Sequence, residues 1–212
     1  MGRLTLVIVI AAGLGACQYV SQPAPTPSPS PIPTPHVNAA AAILQSNEVP
    51  SGLTVCLGSG PIDVYLASLA QASATIGARA ADQWQQMQAL GTRDGAISLF
   101  TSNPSACNAE LGATSTAKAM VSFVARFEDS GQAHRAWEAG VFGFAPPPPN
   151  VIVAGVTRGT ATGLGVSSFT YERPSVRLAS WQRSVFVALV VASNLDSNTF
   201  KAAATTVDAR LN

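Results

Sequence analysis

Residues 22–35 read QPAPTPSPSPIPTP, with proline at nearly every second position. Proline has no backbone N–H and a fixed φ, so this tract can join neither a helix interior nor a sheet ladder, and it favours extended polyproline II. It divides the chain. The folded domain is expected over residues 38–212, where no second linker interrupts the sequence. A domain of that length buries about 70% of its unfolded surface, so its core needs no metal staple. The tract itself is expected to be a spacer: at about 3.1 Å per residue, residues 17–37 reach roughly 60 Å.

The residues before the spacer say what it is attached to. Arg3 gives a basic start, residues 4–12 (LTLVIVIAA) are uncharged and apolar, and Gly13, Gly15 and Ala16 are small. A bilayer span needs about 20 apolar residues, roughly twice this run. A basic start, a short apolar stretch and small residues before a cut describe a secretory signal, here residues 1–16. Leu14-Gly15-Ala16-Cys17 resembles the lipobox of bacterial lipoproteins. The resemblance implies cleavage before Cys17, lipid on Cys17, and a mature chain held on an extracytoplasmic membrane face, that of the cell membrane or outer membrane. The alternative is an ordinary signal whose cut happens to fall beside a cysteine. One acyl chain gives only marginal membrane binding, and bacterial lipoproteins carry more than one.

Charge excludes some partners. The chain has 12 Lys and Arg against 11 Asp and Glu. Loss of Arg3 with the signal leaves a domain near neutrality, which argues against nucleic acid or anionic lipid bound through bulk electrostatics. With Cys17 assigned to lipid, Cys56 and Cys107 remain as an even pair in an oxidising compartment, and a disulfide between them is expected. Closing such a loop contributes roughly 4 kcal/mol in the chain-entropy account. Neither cysteine lies in a CxxC or near a histidine, so metal and thiol chemistry are the weaker readings.

Periodicity predicts a mixed domain. Helices are expected from Pro61, over 78–90, from Asp129 or Ser130 through Ala139, and from Asp196-Ser197 toward Leu211. Strands are expected over 95–101, 119–127, 151–157, 166–173, 176–182 and 185–193. Residues 119–137 and 185–204 each run strand, Asp-Ser, helix, which is either an internal repeat or a common way to start a helix after a strand. Together these give an α+β fold: a mostly antiparallel sheet of about five to six strands packed with helices and carrying one disulfide. With its tethered, proline-rich stalk, this pattern resembles the extracytoplasmic sensor domains of actinobacterial Ser/Thr kinases and related lipoproteins at the level of architecture.

No reaction is legible. His134 is the single histidine of residues 38–212 and is expected on a solvated helix surface. Gly163-Leu164-Gly165-Val166-Ser167-Ser168 is not a nucleophile elbow, because Phe169 replaces the last glycine and no helix follows. The glycines of 158–165 lack the Lys-Ser/Thr of a phosphate loop, and a hairpin connection fits better. No metal site or cofactor motif is present in the sequence. A non-catalytic binding or sensor module is expected, holding a small molecule, cell-wall fragment or envelope protein; the alternative is an envelope hydrolase with an unseen active site. The candidate ligand surface is Tyr171, Arg173, Arg177 and Trp181, which would share a sheet face if their runs pair around Pro174; otherwise the aromatics are core and the arginines exposed. Residues 142–150 (FGFAPPPPN) should plug the helix layer with Phe142 and Phe144, then cross the surface as a stiff strap to a strand from Val151, at a sheet edge or the lip of a pocket.

Overall fold

Long apolar runs with no alternation belong in strands covered on both faces, and two such runs lie at the centre of this molecule. The computed structural model describes residues 37–112 and 116–211. The signal, Cys17 and the proline tract lie outside the described residues. In chain order the elements are α1 (Ala39–Ala42), β1 (Thr54–Val55), β2 (Gly60–Pro61), α2 (Ile62–Ala72), α3 (Ala74–Ala89), β3 (Thr92–Thr101), β4 (Ala119–Phe127), α4 (Ser130–Ala139), β5 (Val156–Arg158), β6 (Ser168–Glu172), β7 (Val176–Arg183), β8 (Phe186–Ser193) and α5 (Ser197–Asp208). The antiparallel sheet runs β1-β3-β4-β8-β7-β6-β5, with β2 also on the outer edge of β3. Central β4 and β8 pair in register from Ala119↔Ser193 to Arg126↔Phe186, and nearly every residue in them is buried.

The sheet has a core on each face. On one, Ile97, Val121, Phe123, Leu178, Leu189 and Val191 meet α2, α3 and α4. On the other, Phe100, Met120, Val124, Trp181, Phe186 and Val190 meet α1 and α5. The helix starts are chemically explicit. Asp129 accepts the N–H of Gln132 and Asp196 that of Thr199, so each carboxylate satisfies an orphan donor of a first turn. The two strand–Asp-Ser–helix units do not repeat in space: α4 packs on one face of the sheet and α5 on the other. One residue, Glu128, separates β4 from the cap at Asp129, whereas Asn194 and Leu195 separate β8 from Asp196.

The α+β class, the antiparallel sheet and the Cys56–Cys107 disulfide, which joins cysteines 51 residues apart, are as expected. Three details differ. The sheet has eight strands because the edge of β3 also takes β1 and β2, two residues each. The second helix starts at Ala74, earlier than expected, because Ser73 breaks α2 and its hydroxyl accepts the N–H of Ile76. The strand expected over 151–157 shrinks to Val156–Arg158. Residues 151–153 run clear of the sheet, Ile152 is wholly exposed, and the backbone turns at Gly155 with φ +83° before pairing begins.

Candidate functional site

The helices do not cover the whole sheet. Helix α4 ends after Ala139 at Gly140, whose φ of +101° turns the chain back over the part of β6, β7 and β8 that α4 leaves open. Phe142 then drops into the core and meets Phe123 edge to face, with centroids 4.9 Å apart. A tight turn bonds Val141 to Phe144 in both directions. Phe144 stays 39% exposed, so only the first phenylalanine is the expected plug. The prolines follow as a surface segment, Pro146 and Pro147 half-buried, Pro148 and Pro149 exposed. Arg158 fastens this strap by donating to the carbonyls of Pro149 (3.2 Å) and Val151 (2.8 Å).

Beneath the strap lies a cleft of about 590 Å³. Its floor is the sheet, with Phe169 and Tyr171 from β6, Val176 and Leu178 from β7, and Val191 from β8. Phe142, Phe144, Ala145 and Pro147 form the roof, and Val153 and Val156 close the far side. The polar lining residues gather on one wall. Arg79 and Gln83, four residues apart on α3, face it beside Glu110 from the 3₁₀ turn Glu110–Gly112. Arg79 and Glu110 form an ion pair with each other. The Oε1 of Gln83 is buried and has no hydrogen-bond partner.

That wall is held from below. The Leu111 N–H donates to the Tyr65 hydroxyl (2.9 Å), and Leu111 sits at φ 50° in the left-handed region. Burial pushes the Tyr65 phenol up to about 12; the Leu111 hydrogen bond opposes the shift and nearby Glu110 adds to it. The disulfide fixes the adjoining 3₁₀ turn Pro104–Asn108 to the segment after β1. It thus anchors the chain that leads into Glu110.

The candidate four-residue surface is not assembled. Strands β6 and β7 do pair around Pro174, but in a register that sets Tyr171 opposite Leu178 and Glu172 opposite Arg177. Directly opposed residues share a face, so Tyr171 and Arg173 fall on one side and Arg177 and Trp181 on the other. Tyr171 lines the cleft, its hydroxyl accepting from Arg173 Nε at 3.0 Å, with the guanidinium 5.6 Å above its ring. Arg177 pairs with Glu172 and donates to the Leu195 carbonyl. Trp181 is fully buried in the core under α5.

The fold also assembles a group that the sequence did not announce. Ser167 Oγ lies 3.5 Å from His134 Nδ1, and His134 Nε2 lies 3.4 Å from Glu138 Oε1. The His134 ring stacks on Trp137. The i,i+4 spacing of His134 and Glu138 was readable on the helix; the approach of Ser167, 33 residues away, comes from tertiary packing. A second recess of about 470 Å³ adjoins this group across the strap, with Glu138, Pro148, Arg158 and Val166 among its lining. Among the described residues no cluster of three or more His, Cys, Asp or Glu could hold a metal ion, and no helix is long and apolar enough to cross a membrane.

Fold and cleft together define a three-layer α+β domain with a preformed apolar recess on one sheet face. Comparison with protein-family models, curated proteins and solved structures finds no match to the chain.

Proposed function

We propose that this chain is an extracytoplasmic lipoprotein, anchored to a bacterial membrane through Cys17, whose domain is a non-catalytic binding module. The cleft over β6–β8 is its ligand site. The observation that carries this reading is an apolar sheet floor left uncovered by helices and roofed by a proline strap. Its volume of about 590 Å³ falls in the ordinary range for small-molecule sites. The lining also chooses among ligands. A cell-wall glycan presents hydroxyls that a floor of Phe, Val and Leu would leave unpaired, at a desolvation cost. An apolar small molecule loses nothing there.

The test is binding of the apolar dye N-phenyl-1-naphthylamine to the mature chain, residues 17–212, carrying Cys17→Ser, which lacks both the apolar signal and the lipid and so needs no detergent. Saturable dye fluorescence is expected, weakened at least about tenfold by Val176→Trp, which fills the floor; a tenfold change corresponds to about 1.4 kcal/mol. No saturable binding, or equal binding to both forms, would overturn the cleft as a site.

A second reading, envelope hydrolase, is favoured by the Ser167–His134–Glu138 group. In that reaction Ser167 Oγ would attack an acyl carbon and pass its proton to His134 Nδ1. The departing alkoxide would take that proton, and water would then release the acid. Against it, both contacts are long and the His134 and Glu138 side chains are 45% and 59% exposed, so water screens the group. Hydrolysis of p-nitrophenyl butyrate that disappears in both His134→Ala and Ser167→Ala would establish it over the binding reading.

A further inference from the structure

An apolar cleft would accept any greasy molecule of the right size; what narrows the ligand class here is the one polar wall. Its two charged groups, Arg79 and Glu110, pair with each other and add no net charge to the recess. Gln83 is different. It lies on the same face of α3, and a Cβ placed on Gly143 would come within 3.7 Å of its Nε2, so the amide is lodged beneath the roof turn. Its Oε1 is buried there without a partner. A buried acceptor left unpaired keeps its full desolvation penalty, and such atoms in folded proteins are nearly always paired.

From this we infer that the cleft takes a single-chain amphiphile with an uncharged head bearing a hydrogen-bond donor, such as the hydroxyls of a monoacylglycerol, and that Gln83 is the residue selecting that head. The inference rests on the cleft being the binding site. The chain of the ligand lies on Phe169, Val176 and Leu178; Gln83 Oε1 is covered in the free cleft, so the amide turns on its side chain to accept from a head hydroxyl. A charged head is disfavoured because the Arg79–Glu110 wall offers no net charge to offset the hydration that the head would lose. A head with acceptors only, such as a methyl ester, leaves Oε1 unpaired and gains nothing over the bare chain.

Dye displacement separates these classes. With the same Cys17→Ser mature chain loaded with N-phenyl-1-naphthylamine, monodecanoylglycerol, methyl decanoate and decanoate share one chain length and differ in the head. Monodecanoylglycerol is expected to displace the dye at concentrations about three- to tenfold lower than methyl decanoate, the range given by one net hydrogen bond. Gln83→Leu should erase that gap while still binding the dye, which shows that the variant is folded and its cleft intact. Equal displacement by the two neutral lipids in the unmodified cleft would overturn the inference, as would a gap that survives Gln83→Leu. Tightest binding by decanoate would also overturn it, and would place the head at the exposed guanidinium of Arg173. Absence of dye binding would instead remove the cleft reading, and this inference with it.

Discussion

The hydroxyl of Tyr65 sits under the cleft wall and accepts the N–H of Leu111, a residue held in the left-handed region. Tyr65→Phe keeps the ring and deletes the acceptor, so the Leu111 N–H is left buried and unpaired. Stability at pH 8 should fall by about 1–2 kcal/mol in denaturant unfolding. The same side chain has a pH signature. Its folded pKa, pushed up to about 12 chiefly by burial, lies above the ordinary value of 10.0 that the unfolded chain regains. The stability tied to the neutral phenol is therefore complete below pH 10 and is lost as pH rises from 10 toward 12. Unfolding measured at pH 8, 10 and 11 should show the difference between the native chain and Tyr65→Phe narrowing over the last step. A difference constant with pH would mean that Tyr65 ionises as freely in the folded state as in the unfolded one.

The strap is an element without regular structure, stiff because of what its residues cannot do. Each proline narrows the unfolded ensemble, so replacing Pro147 and Pro148 by Gly and Ser should destabilise by up to about 1 kcal/mol per site. Dye affinity should fall as well, since Pro147 roofs the cleft; unchanged stability and affinity would show that the roof does not depend on stiffness. The strap was legible in four consecutive prolines, as β4 and β8 were in their apolar-rich runs and α4 and α5 in their aspartate caps. Where local chemistry did not decide, the sequence was silent. Strands β1 and β2 have two residues each, too short for a period to appear. The faces of Tyr171, Arg177 and Trp181 depend on how the turn at Pro174 sets the register, and a one-residue change would exchange them. The cleft arises from where α4 stops relative to strands that follow it in the chain, a relation that no sequence window contains.

At the scale of the whole molecule, the two kinds of cysteine should separate cleanly. Cys56→Ala with Cys107→Ala should lower stability by about 2–5 kcal/mol in chemical unfolding. It should also loosen the Glu110 wall, weakening dye binding without any loss of membrane attachment. Cys17→Ser should do the reverse: metabolic labelling with a fatty-acid analogue should mark the native chain and miss the variant, while the melting temperature of the domain stays the same. Label persisting in Cys17→Ser would refute the lipid anchor.

The two ends of the sheet carry a consequence for molecules held side by side on a surface. An open strand edge is a template for the next molecule, and the hazard grows with local concentration. One edge here is interrupted: β1 and β2 take separate stretches of β3, Pro61 in β2 has no N–H to offer, and between them the Ser59 hydroxyl accepts the N–H of Leu99. The other edge, β5, has three residues, with a turn at Gly155 before it and a 3₁₀ turn at Gly159–Thr162 after it. Neither presents the long, flat run that polymerising strands require. Held on a membrane by the anchor proposed at Cys17, a domain built this way can be packed densely and remain a population of separate molecules.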